Sequence, residues 1–140
     1  MGRTELLTDT LKGVHVLIVD DDGDSLEILR TIIRYFGALT TEARSAAAAL
    51  AVLGRVTPDV VVIDLVMPGR SGLALIRDIR ARPSAAGLRT VALTGHPDLH
   101  TRAAATAAGF DAYLRKPVDP TALCRVLQHL GGLEGPPKPP

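Results

Sequence analysis

Two short segments of this chain are apolar without a break: VLIV at residues 16–19 and VVVI at residues 60–63. Each runs directly into aspartate. VLIV meets Asp20, Asp21 and Asp22, and VVVI meets Asp64. A strand with one wet face alternates apolar and polar residues, whereas a strand covered on both faces reads as apolar throughout. Segments of four residues bounded by turn signals are strands rather than helices. A chain with two such strands needs helices on both sides of a sheet, which means a parallel α/β fold.

The remaining pattern agrees. Strands are expected at residues 14–20, 38–43, 59–64, 89–94 and 111–115, with helices at 24–36, 45–54, 72–82, 97–108 and 120–130. Leu26, Leu29, Ile33 and Phe36 share one face of the first helix, and Asp22 stands where its N-cap belongs. Leu123, Val126, Leu127 and Leu130 do the same in the last helix. Strand and helix alternating five times imply a doubly wound, flavodoxin-like (βα)5 sheet. The two apolar strands belong at its centre and the mixed segments ALTTEA and DAYLRK at its edges. The order 2-1-3-4-5 satisfies this. Residues 1–13 read as an N-terminal extension, 14–130 as the domain and 131–140 (GGLEGPPKPP) as a Gly/Pro-rich tail.

The chain has 140 residues, 46% hydrophobic, with a formal net charge of +1. That suits one domain with a real core, and gives no global field toward nucleic acid or membrane. Aromatic residues make up only 3%, too few for base-stacking platforms. No apolar run approaches the roughly 20 residues that span a bilayer. A single cysteine, Cys124, suits a reducing compartment, and its mid-helix position suits inert packing. The N-terminus lacks the apolar core of a signal peptide. A cytoplasmic domain is the expectation.

In a doubly wound sheet, ligands bind outside the carboxyl ends of the strands. Those ends carry Asp20 and Asp21, Asp64, Thr94 and Lys116. The three carboxylates lie on adjacent central strands, roughly 5 Å apart laterally. They stay ionised together only with positive charge among them. A hard divalent cation, Mg²⁺ with Mn²⁺ as its substitute, fits oxygen ligands of this kind. Three negative charges then balance two from the metal and one from Lys116. Asp64 stands alone at its strand end and is the candidate nucleophile toward a phosphoryl group. Thr94 is placed to donate to a phosphoryl oxygen.

The set VDD (residues 19–21), DLVMPGRSG (64–72), LTG (93–95) and YLRKP (113–117) resembles the two-component response-regulator receiver domain, of the chemotaxis-regulator type. Thr94 lies 30 residues after Asp64, and Lys116 lies 22 after Thr94, as in that family. The resemblance covers residues 14–130 and extends to receivers of hybrid histidine kinases. It implies a phosphoacceptor, not an enzyme beyond self-catalysed phosphotransfer and autodephosphorylation. Asp64 would take the phosphoryl group from a histidine kinase or its phosphotransfer domain. Asp21, Asp64 and the Val66 backbone carbonyl would bind the metal, with Asp20 acting through water. Thr94, Lys116 and the Gly95 N–H would hold the phosphoryl oxygens. Thr94 and Tyr113 would form the switch that alters the face made by the fourth helix, fifth strand and fifth helix. A monomer is expected without phosphate, and pairing through that face with it. The sequence has Ser71-Gly72 where the family often has Asp-Gly.

A second reading is a haloacid-dehalogenase-like phosphohydrolase, with Asp20 as nucleophile in Asp20-x-Asp22-Gly23. Against it, only Asp119 and Glu134 follow Lys116 to supply its further acidic pair, and there is no room for a cap domain. No phosphate-binding glycine motif of nucleotide-binding modules occurs. His15, His96, His100 and His129 make no ligand-spaced set, although His96 falls near the rim of the strand-end crevice. Arg70, Arg77, Arg80, Arg82 and Arg89 read as solvated charge around the third helix.

Overall fold

A computed structural model of the chain describes residues 8–85, 87–97 and 100–132. The elements are β1 (His15–Val19), α1 (Gly23–Tyr35), β2 (Leu39–Ala43), α2 (Ala46–Leu53) and β3 (Val60–Asp64). They continue as α3 (Gly72–Arg80), β4 (Arg89–Thr94), α4 (Arg102–Ala108), β5 (Ala112–Arg115) and α5 (Pro120–Leu130). All strand pairs are parallel, in the order β2-β1-β3-β4-β5. This is the doubly wound, flavodoxin-like sheet expected from the two apolar strands.

Those strands divide their side chains between two cores. Val16 and Ile18 of β1, Val60 and Val62 of β3, and Val91 and Leu93 of β4 pack with α1 and α5 through Leu26, Leu29, Ile33, Leu123 and Leu127. Leu17 and Val19, Val61 and Ile63, and Ala92 pack with α2, α3 and α4 through Ala49, Val52, Leu75, Ile76, Ile79 and Ala105. Strand alternation therefore supplies both layers, and burying each large aliphatic side chain contributes about 2 kcal/mol.

Polar caps start the helices. Asp22, Ser45, Ser71, Thr101 and Asp119 each accept a backbone N–H of the following turn. The fourth helix departs from the expected 97–108. It begins at Arg102, because the Thr101 hydroxyl takes the Ala104 N–H; residues 98–99 of the expected span lie outside the described residues. Ahead of β1, Leu11 is fully buried in the α1/α5 core and its N–H donates to the Phe36 carbonyl at 2.7 Å. Gly37 makes room for this approach: φ is +98°, and a Cβ there would sit 2.9 Å from the Thr8 carbonyl oxygen.

Arg80 is not the solvated charge its sequence context suggests. Its guanidinium donates to the Gly109 and Leu88 carbonyls, to Thr90 Oγ1 and to Asp111. One side chain thereby ties the end of α3 to the ends of β4, α4 and β5. Arg70, by contrast, stays at the surface in a two-pronged pair with Asp78.

Among the described residues, no helix is long and apolar enough to cross a membrane.

Candidate functional site

Asp20, Asp21 and Asp64 leave the carboxyl ends of β1 and β3 side by side because those strands are neighbours in register, Val19 opposite Ile63. One oxygen from each lies within 4.8 Å of the others. Asp20 is fully buried, Asp64 is 7% exposed, and Asp21 is half-buried at the rim.

Lys116 reaches in from the end of β5. Its Nζ donates to Asp20 Oδ2 at 2.8 Å, to Asp64 Oδ2 at 3.0 Å and to Ser25 Oγ at 3.0 Å. Asp20 is held on every side. Besides Lys116, it accepts the Asp22 N–H at Oδ1 (3.0 Å) and the Ser25 hydroxyl at Oδ2 (2.6 Å). Asp64 has fewer donors: the Val66 N–H at Oδ1 (3.0 Å) and Lys116.

This difference divides the two buried carboxylates. Burial alone would raise the pKa of Asp20, but the bonds from Lys116, Ser25 and the Asp22 N–H together outweigh it, and the pKa falls below the ordinary value. For Asp64, burial wins over its two donors, with the Asp20 charge adding to it, so its pKa is raised. Burial works against the charge on Lys116, yet Asp20 and Asp64 overcome that and hold the ammonium protonated.

The loop after β3 packs tightly on the Asp64 backbone. A Cβ at Gly72 would lie 2.7 Å from the Asp64 carbonyl oxygen and 2.8 Å from Leu65 Cα, so only glycine fits here. Val66, at the lip of the site, is 40% exposed. Thr94 ends β4 fully buried, and its Oγ1 accepts the His96 N–H at 2.9 Å rather than touching the carboxylates. The next residue, Gly95, lies alongside Lys116: a Cβ there would be 4.0 Å from the lysine Cβ. His96 is exposed beside Thr94. Tyr113 does not face the acidic cluster. Its ring is buried, its hydroxyl donates to the His100 carbonyl at 2.6 Å, and Arg102 lies 5.0 Å from the ring centroid.

Reading the sequence by strand ends finds Asp20, Asp21, Asp64 and Lys116 but misses Ser25. The signal was present. The first turn of α1 starts at the β1 carboxyl end, and Ser25 is the third residue after its Asp22 cap. Arg44 was missed too; its guanidinium donates to the Asp21 carbonyl at 3.1 Å.

Residues 16–128 match the family model of the response regulator receiver domain. The chain belongs to this family. It is 40% identical over 119 residues to an uncharacterized 14.6 kDa protein of Leptolyngbya boryana, covering 85% of this chain and 91% of that one. Protein PetR of Rhodobacter capsulatus is 37% identical over 109 residues, 78% of this chain; the match spans only 45% of PetR. Among solved structures, the receiver domain of a sensor histidine kinase from Pseudomonas aeruginosa, with magnesium coordinated in its active-site cleft, superposes with a TM-score of 0.79 at 27% identity. That match covers 86% of this chain and 98% of the other. The receiver is a phosphoacceptor domain of two-component signalling, and its acidic pocket is the one described above. The haloacid-dehalogenase reading falls with it. Asp20 is fully buried and takes three donors, whereas Asp64 takes two and keeps some exposure, so Asp20 is the worse placed of the two to act as a nucleophile.

Proposed function

We propose that Asp64 is the residue phosphorylated, taking the phosphoryl group from a phosphohistidine of a histidine kinase or its phosphotransfer domain. The observation that carries this is the contrast at Lys116. Its ammonium bridges two buried carboxylates, Asp20 with three donors and Asp64 with two and slight exposure. In the transfer, an Asp64 oxygen bonds to phosphorus as the donor P–N bond breaks, and the electron pair returns to the imidazole nitrogen. Lys116 follows the new negative charge on the phosphoryl oxygens. Thr94 gives up the His96 N–H to donate to the same oxygens, beside the Gly95 N–H. Loss of the phosphoryl group to water is likewise catalysed only by the domain itself.

The donor set fits Mg²⁺. The side chains gathered here offer hard carboxylate oxygens, one from each of Asp20, Asp21 and Asp64 within 4.8 Å of the others, as such an ion requires. Asp21, Asp64 and the Val66 carbonyl would hold it directly, and Asp20, whose Oδ1 takes a single donor, through water. When bound, the ion supplies positive charge against the phosphoryl oxygens. Mn²⁺ would serve in its place.

The switch joins Thr94 to Tyr113 and the α4–β5–α5 face, where a downstream protein reads the phosphorylated state in the cytoplasm. Phosphorylation by acetyl phosphate tests the assignment. The native protein with Mg²⁺ should gain one phosphoryl group by intact mass. A chelator or Asp64→Asn should abolish the gain, and full labelling of Asp64→Asn would refute it.

A further inference from the structure

We propose that Ser25 is a positioning residue for Lys116, the group that fixes where the lysine ammonium points. This deepens the reading of Lys116 as the phosphoryl-binding cation and rests on it. The ammonium has three N–H bonds and three acceptors: Asp20 Oδ2, Ser25 Oγ and Asp64 Oδ2, at 2.8, 3.0 and 3.0 Å. Two of the three belong to groups that take no part in bond making. Ser25 and Asp20 are themselves joined by the 2.6 Å bond from the serine hydroxyl, so Asp20, Ser25 and Lys116 close a ring. That bond uses the serine hydrogen and leaves its lone pairs for the ammonium. The ring is anchored to α1, whose start is fixed by the Asp22 cap and by the Asp22 N–H on Asp20.

A lysine on a flexible four-carbon stem is a poorly directed donor by itself. With two N–H bonds held by Asp20 and Ser25, the third is directed at Asp64 before any phosphoryl group arrives. It can stay on the same side when that group carries the new charge. Serine does this without adding charge. A carboxylate at residue 25 would put a fourth negative group in the pocket, and alanine would leave one N–H unpaired and Asp20 short of a donor.

Acetyl phosphate labelling at saturating Mg²⁺ isolates this role, since differences in metal affinity then drop out. Ser25→Ala should be phosphorylated about tenfold more slowly, the scale of one hydrogen bond to a charged group. Ser25→Thr, which restores the hydroxyl, should come within about threefold of native. In a Lys116→Ala background, Ser25→Ala should slow the reaction no further. The Lys116 ammonium resonance in ¹H–¹⁵N spectra should be ordered in the native protein and Ser25→Thr, and lost to exchange in Ser25→Ala. A purely structural serine would alter melting and leave that resonance and the background dependence untouched. Native rates for Ser25→Ala, or the same fractional loss with and without Lys116, would overturn the proposal. Native rates for Lys116→Ala would overturn the reading of Lys116 itself, and this one with it. If Ser25→Ala does not fold, Ser25→Cys, nearly its shape with a weaker donor, carries the same comparison.

Discussion

Asp64 is a charge the fold tolerates rather than wants. Its raised pKa, set first by burial and aided by the Asp20 charge, means that the metal-free native state holds that proton more tightly than the unfolded chain does. The ionised form therefore costs stability at neutral pH, and the cost fades as pH falls through the raised pKa. Asp64→Asn should stabilise the metal-free protein at neutral pH, with the gain shrinking on acidification. Thermal melts of both proteins from neutral pH downward would check this; a destabilised variant would contradict it. Asp20 has the opposite sign. Its lowered pKa contributes stability above the ordinary carboxylate range, lost as pH falls through the folded value. Asp20→Asn should thus destabilise. Which aspartates form the pocket was legible because a strand end fixes a side chain's place once the topology is known. How they differ was not, because it depends on donors from other elements: Ser25 from a helix phase, Lys116 from a residue 96 positions away.

The strands were legible for a related reason. Apolar runs buried on both faces have no alternative phase, so β1 and β3 differ from expectation only at their ends. The fourth helix was less so. It buries a single residue, Ala105, and its small exposed side chains give no periodic signal to mark its start. An element held so lightly is also the one most free to shift. Its far end is held differently: Arg80 donates to the Gly109 carbonyl twice and to Asp111. Arg80→Met should cost about 2–4 kcal/mol by urea titration, since the Leu88 and Gly109 carbonyls, Thr90 Oγ1 and Asp111 lose their donor at once. A loss below 1 kcal/mol would mean water replaces the guanidinium. Gly72→Ala should also be costly, about 1–3 kcal/mol, and should slow phosphorylation because its Cβ collides with the Asp64 carbonyl. Native labelling of that variant would show that the loop shifts without moving Asp64.

Across the whole domain, the sheet sets helices α1 and α5 on one side, α2 to α4 on the other, and the pocket at one pole. On the proposed reading, signalling amounts to a bias between two arrangements of the α4–β5–α5 face, driven from that pole. Sedimentation in Mg²⁺ should give a monomer, and addition of beryllofluoride should shift it toward a dimer; a stable dimer without beryllofluoride would argue against this use of the face. All of it depends on which carboxylate takes the phosphoryl group. Labelling with acetyl phosphate and Mg²⁺, reduction of the acyl phosphate with borohydride and peptide mass spectrometry identify that residue. The modification should fall on Asp64 alone, and its appearance on Asp20 or Asp21 would contradict the assignment.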